Sequence, residues 1–81
     1  MKPDERILRN VLNELRYEPM LRSADIQVNV SGRIVKLSGT VNDFYKMIIA
    51  ENAVSRVSGV KGIISEVNVR IDERLYAAQL M

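Results

Sequence analysis

The fold is decided by the stretch DIQVNVSGRIVKLSGTV, residues 25–41. Apolar and polar side chains alternate along both halves, which is the period of strands with one buried face. Ser31 and Gly32 separate the halves and predict a two-residue hairpin turn, since glycine accepts the positive φ that such turns need. A register with Val30 opposite Arg33 keeps the apolar side chains of both strands together. The inner face is then predicted to carry Val30, Val35, Leu37 and Val41, and the outer face Ile34, Lys36, Ser38, Thr40 and Asn42.

Gly39 occupies an inner-face position of the second predicted strand, between Leu37 and Val41. We expect a helix to cross the sheet at this point. A missing side chain would let that helix approach closely, or would permit a bulge that bends the strand. Gly39 is therefore interpreted as a structural glycine and not as a ligand contact.

A helix is predicted on each side of the hairpin. The first spans residues 4–17 and ends before Pro19, because proline excludes the helical conformation from the residue that precedes it. The second begins at a cap formed by Asn42 or Asp43, runs to about Ser58 and ends at Gly59 as a glycine C-cap. The apolar stripes of the two helices are Ile7, Leu8, Val11, Leu12 and Leu15, and Met47, Ala50, Ala53, Val54 and Val57.

Residues 60–71 predict a third strand, with Val67, Val69 and Ile71 facing inward and a bulge or loop near Gly62. A hairpin followed by a right-handed crossover brings this strand back into the same sheet. The predicted fold class is α+β in the order helix-strand-strand-helix-strand. It has a three-stranded mixed sheet with both helices on one face.

Three stretches of this pattern resemble the BON domain, a family named for bacterial osmotic-stress and nodulation proteins. They read LNELRYEPMLRSADIQVNV, then IVKLSGTV, then AENAVSRVSGVKGIISEVNV, and the resemblance covers about residues 5–71. The glycines of the family correspond to Gly39 and Gly59, whereas the turn before Ile34 is about a residue longer than the common form. We expect a BON-like domain over residues 1–71 and a tail of unassigned role over residues 72–81.

The resemblance implies a non-catalytic attachment module without a cofactor, associated with a phospholipid surface or the cell envelope. The alternative is a protein–protein interaction or self-assembly module of a larger multidomain protein, with neighbouring BON or other domains as partners. The expected compartment is the cytoplasm if the chain is complete, and the periplasm if a targeting segment has been removed.

The residues themselves argue against catalysis and metal binding. The chain contains neither cysteine nor histidine, so the commonest metal ligands and the commonest general base are absent. The acidic pairs Asp4–Glu5 and Asp72–Glu73 are adjacent in sequence, so their carboxylates point apart instead of converging on a substrate. Ser38 has no histidine to activate it. We therefore predict that the protein is not an enzyme and that it holds no metal.

The candidate contact with a lipid surface is the start of the second helix, NDFYKMII. Phe44, Tyr45 and Ile48 fall partly off the buried stripe and lie beside Lys46. Aromatic and lysine side chains together suit the headgroup region of a membrane. The alternative interpretation is that Phe44 and Tyr45 only cover the edge of the core.

Other partners have weaker support in the sequence. Twelve Lys and Arg against ten Asp and Glu give a net charge of +2, too small to indicate nucleic-acid binding. The GVKG stretch at residues 59–62 matches the loop of KH domains, but there the loop joins two helices, and here it joins a helix to a strand. We expect no nucleic acid. Self-association could use the open sheet edges or an apolar set in the tail, Leu75, Tyr76, Leu80 and Met81.

Overall fold

A hairpin and a crossover helix build the sheet, as the alternation of residues 25–41 predicts. The computed structural model describes residues 2–21 and 24–70. β1 pairs antiparallel with β2, β3 pairs parallel with β2, and β2 is the central strand. The predicted α+β class, element order and mixed sheet are confirmed. The elements are α1 (Pro3–Arg16), a short 3-10 helix (Pro19–Leu21), β1 (Asp25–Ser31), β2 (Ile34–Val41), α2 (Phe44–Ser55) and β3 (Gly62–Val69).

The hairpin turn consists of Gly32 and Arg33, not of Ser31 and Gly32. Both turn residues have positive φ, 56° and 65°, as a type I′ turn requires. Val30 pairs with Val35, so the predicted pairing of Val30 with Arg33 was wrong by two residues. A shift of two residues leaves every side chain on its predicted face, because side chains alternate with a period of two.

Gly39 lacks a side chain at the point where the backbone of β1, and not a crossing helix, comes close. Its φ is +117°, and a Cβ added there would lie 1.9 Å from the backbone carbonyl oxygen of Asp25 in β1. The strand pairing continues unbroken at this point, with Ile26 opposite Gly39. The close-helix and bulge explanations of this glycine were therefore wrong. The missing side chain lets two strand backbones meet.

The core lies between the inner face of the sheet and the two helices. Val35 and Leu37 of β2 are completely buried, as is Val11 of α1. Leu12, predicted to be buried, is 43% exposed, because α1 turns only one narrow stripe toward the sheet. The 3-10 helix adds a core residue that the stripes do not include. The buried cluster comprises Ile7, Val11, Leu21, Val35, Leu37, Ala50, Val54 and Val57.

α2 is shorter than predicted. It ends at Ser55, where Arg56 and Val57 donate backbone hydrogen bonds three residues back, to the carbonyls of Ala53 and Val54. This tighter turn stops the helix, so Gly59 is not its C-cap. Gly59 instead sits in the following loop with φ +92°.

β3 begins directly at Gly62. It pairs with β2 without interruption, from Gly62 opposite Ile34 to Val69 opposite Val41. Of the two alternatives predicted near Gly62, the bulge was therefore wrong and the entry loop is confirmed, since Val60 and Lys61 lie in a loop before the strand. Ile71 and the tail lie outside the described residues.

The sheet has two ends that matter below. The hairpin end carries the Gly32–Arg33 turn and the start of β3. α1 also begins there, since the Asp4 carboxylate accepts hydrogen bonds from the backbone N–H groups of Gly32 and Arg33 at 3.0 and 2.9 Å. The distal end carries the start of β1, the ends of β2 and β3, and the start of α2.

Candidate functional site

The first turn of α2 is fixed by a side-chain cap. Of the two predicted caps, Asp43 is the N-cap, and its carboxylate accepts a hydrogen bond from the Tyr45 N–H at 2.7 Å. A carboxylate here satisfies one of the free N–H groups and lies favourably at the positive end of the helix dipole. The cap therefore fixes the residue at which α2 begins, and with it the directions in which the first-turn side chains leave the helix at the distal end.

Phe44 and Tyr45 project largely into solvent, with 58% and 59% of their surface exposed. The fully buried residues of α2 begin further along, at Ala50, and Ile49 just before it is half-buried against the core, so Phe44 and Tyr45 precede the part of the helix that packs on the sheet. Ile48 lies one turn after Phe44 and is half-buried, so the two are neighbours on the helix surface.

Lys46 is half-buried and lies two residues after Phe44, about 200° further around the helix, so it borders the exposed first turn from another side. We name these four residues, Phe44, Tyr45, Lys46 and Ile48, the aromatic patch. The structure places them in one continuous turn at the distal end. Their role as a lipid or partner contact stays a prediction.

Lys46 shares a small cavity with a second cation that sequence reasoning did not include in the site. Lys46 and Arg70 both line a cavity of about 260 Å³ at the distal end, together with Asp25 and Asn42. Arg70 reaches this position because its backbone N–H donates to the carbonyl of Val41 at 2.8 Å, just beyond β3. The sequence placed Arg70 on a longer strand, so its approach to Lys46 could not be seen. With one carboxylate present, the cavity keeps a net positive charge.

A separate ionic cluster holds the two helices together. The Arg56 guanidinium donates to Glu18 at 2.7 Å and to Glu14 at 3.4 Å. The hydrogen bond to Glu18, aided by the charge of Glu14, raises the pKa of Arg56 above its ordinary value. A raised pKa means that this cation's contribution is complete at neutral pH and is lost only when strongly alkaline pH removes the proton. The cluster ties α2 to the end of α1, which is a structural task.

The outer face of the sheet is polar, with one ion pair between Lys36 and Glu66 at 3.3 Å. Ile64 is the most exposed apolar side chain there, at 49%.

The GVKG stretch is committed to the fold. The Lys61 N–H donates to the Arg33 carbonyl at 2.9 Å and pins the loop before β3 to the hairpin turn. That donor is therefore not free to bind a nucleic-acid backbone.

Two kinds of feature are absent from residues 2–21 and 24–70. No group of three or more acidic side chains there could hold a metal ion. None of the helices in the same part of the chain has both the length and the apolar character that crossing a membrane requires. The tail residues predicted to self-associate, Leu75, Tyr76, Leu80 and Met81, lie outside this part.

Two comparisons with known proteins bear on these features. The family model of the BON domain matches residues 3–71, most of the chain. No curated protein matches the chain.

Proposed function

Because the chain belongs to the BON domain family, we propose that it is a non-catalytic attachment module whose aromatic patch contacts an anionic phospholipid surface. BON domains are generally non-catalytic binding modules. The family supports attachment in general terms, and the lipid surface is the specific part of the proposal.

The observation that carries the proposal is the exposure of Phe44 and Tyr45 beside a lysine. Two adjacent aromatic side chains, each more than half exposed, are costly to leave in water. In the headgroup region their rings bury apolar surface, while the Tyr45 hydroxyl and the Lys46 ammonium stay hydrated. The patch therefore has the composition of a peripheral membrane contact.

The charges at the distal end favour an anionic lipid surface over a neutral one. Lys46 and Arg70 face the same distal end, and each lysine or arginine near an anionic surface contributes about 1 kcal/mol. The resulting affinity is modest and depends on salt, since attraction to the surface is screened within about 10 Å at 0.1 M salt. A neutral bilayer would offer only the apolar part of the contact.

The test is co-sedimentation of the full chain with phosphatidylglycerol-containing and purely phosphatidylcholine vesicles at low and moderate salt. We expect pelleting only with the anionic vesicles, weakening as salt rises. Lys46→Gln should weaken binding about fivefold, the equivalent of one lysine near the surface. Tyr45→Ser should weaken it further by removing the apolar contact.

A double variant on the outer sheet face, Lys36→Gln with Ile64→Ser, is the matched control. It removes one cation and one exposed apolar side chain, as Lys46→Gln with Tyr45→Ser does, but away from the patch. Equal losses in the two double variants would contradict a local contact at the patch. No pelleting under any condition would overturn the lipid proposal and favour the assembly alternative. That alternative predicts a dimer weakened by polar substitutions at Tyr76 and Leu80.

A further inference from the structure

The hairpin end gathers four cations from three separate parts of the chain. Lys2 precedes α1, Arg6 lies in its first turns, Arg33 is in the hairpin turn, and Lys61 lies in the loop before β3. We name these four residues the cationic cluster. None of the four pairs with a carboxylate within ion-pair distance among the described residues. The cluster is thus separate from the aromatic patch, which lies at the distal end.

The cationic cluster borders two adjoining cavities. One, of about 620 Å³, is lined by Lys2, Arg33 and Lys61. The other, of about 290 Å³, is lined by Arg6, Arg33 and main chain around Gly59. Arg33 is the one cation of the cluster that lines both cavities, so it is the residue best placed to contact a ligand in either.

The Arg33 backbone is held in place from two sides. Its N–H donates to Asp4 at 2.9 Å, and its carbonyl accepts from the Lys61 N–H at 2.9 Å. Its φ of 65° is a conformation that residues other than glycine, asparagine and aspartate seldom adopt. Glycine would adopt this φ without strain. The presence of an arginine here therefore points to a role for its side chain beyond forming the turn.

The charge balance at this end favours an anion. Four cations face two carboxylates, those of Asp4 and Glu5, and the Asp4 oxygens already accept the two turn N–H groups. The free N–H groups at the start of α1 add positive potential on the same side. The remaining charge of about +2 matches a phosphomonoester dianion, which arginine binds through two parallel hydrogen bonds and lysine as a point charge.

We propose that the cationic cluster is a binding site for a phosphomonoester, either a free phosphate ester or the headgroup of a lipid such as phosphatidate. The site does not depend on the aromatic patch, and neither proposal needs the other to hold.

The first test is an NMR titration of the full, ¹⁵N-labelled chain with inorganic phosphate at slightly alkaline pH, against sodium chloride at equal ionic strength. We expect saturable shifts in the amide signals of Gly32, Arg33 and Lys61 with phosphate only. Shifts that do not saturate, that chloride reproduces or that lie elsewhere would overturn the proposal.

Arg33→Gly tests the key residue without harming the fold, since glycine relieves the positive φ. It should fold at least as well as the parent chain and weaken phosphate binding about tenfold, the cost of one charge-assisted hydrogen bond. Arg16→Gln removes the same charge from the last turn of α1 and should leave binding unchanged. Equal losses in the two variants would mean that only net charge matters, and would overturn the site.

Vesicles then separate the two sources of the phosphomonoester. If the ligand is a lipid headgroup, phosphatidate vesicles should bind more tightly than phosphatidylglycerol vesicles of equal surface charge, and Arg33→Gly should remove the difference. If it is a free ester, glycerol 3-phosphate should shift the same amides, and Arg33→Gly should not affect vesicle binding. Loss of vesicle binding in Tyr45→Ser with phosphate binding intact would bear on the proposed function alone.

Discussion

Replacing Gly39 with alanine should destabilise the fold far more than replacing Gly32 with alanine. Both glycines have positive φ, +117° and +56°, so both substitutions strain the backbone. They differ in the space around the new methyl group. At Gly32 nothing lies within 4 Å, whereas at Gly39 the methyl carbon would lie 1.9 Å from the Asp25 carbonyl oxygen. The comparison therefore isolates the cost of pushing two strands apart.

The expected magnitudes follow from these distances. Strain at Gly32→Ala costs about 1–2 kcal/mol, and about 0.4–1 kcal/mol returns because alanine makes the unfolded chain less free. The net loss is about 1 kcal/mol. At Gly39, strain costs about 1–3 kcal/mol. The start of β1 must also move by more than 1 Å to restore a tolerable contact, which loses one or two strand hydrogen bonds at about 1 kcal/mol each. The net loss there is about 3 kcal/mol.

Urea denaturation followed by far-UV circular dichroism measures the difference. A domain of this size loses about 1 kcal/mol of stability per molar urea, so the midpoint should fall by about 3 M in Gly39→Ala and by about 1 M in Gly32→Ala. Since small domains are stable by only about 5 kcal/mol, Gly39→Ala should keep about 2 kcal/mol and unfold at about 2 M urea. Equal midpoints in the two variants would refute the argument from the Asp25 contact.

Two further predictions concern the carboxylates that fix the two ends of the fold. Asp43→Ala removes the N-cap of α2 and should cost about 1 kcal/mol in the same denaturation assay, whereas Asn42→Ala should cost little, and similar losses would contradict the assigned cap. Asp4→Ala removes the acceptor of the Gly32 and Arg33 N–H groups, so these amides should exchange with solvent about tenfold faster. Glu5→Ala removes a neighbouring carboxylate that accepts neither N–H group, so exchange of the Gly32 and Arg33 amides should stay unchanged. Faster exchange in Glu5→Ala would mean that the negative charge of the first turn, and not the Asp4 hydrogen bonds, protects these amides.

The alternation of residues 25–41 was enough to predict the faces of the hairpin, but not its register. Side chains alternate between the two faces, so a register shift of an even number of residues leaves each on the same face. Pairing Val30 with Val35 instead of Arg33 is such a shift. The register depends on which two residues take positive φ. Gly32 satisfies that condition in either turn, so the register depended on whether Ser31 or Arg33 is the second turn residue. Arginine seldom takes positive φ, so the sequence did not indicate Arg33.

Contacts between distant segments were beyond the reach of sequence patterns. Gly39 was correctly singled out as unusual for a strand, but the atom that excludes its side chain belongs to Asp25, fourteen positions earlier in sequence. The aromatic patch is local to one helical turn and was therefore predictable as a group. Arg70 lies beside Lys46, and Lys61 beside Arg33, because β3 returns parallel to β2. Lys2 and Arg6 join Arg33 because Asp4 holds the start of α1 against the hairpin turn.

The path of the chain gives the fold a polarity. The described chain begins with α1 at the hairpin end and leaves β3 at the distal end, and the eight residues of β2 separate these ends by about 25 Å. If the aromatic patch rests on a membrane, any segment that follows Arg70 starts at the lipid surface, and any segment that precedes Lys2 is held one strand length above it. Successive copies in one polypeptide would be joined head to tail, so that two patches could rest on the same bilayer only if the linker ran back about 25 Å from the distal end of one copy to the hairpin end of the next.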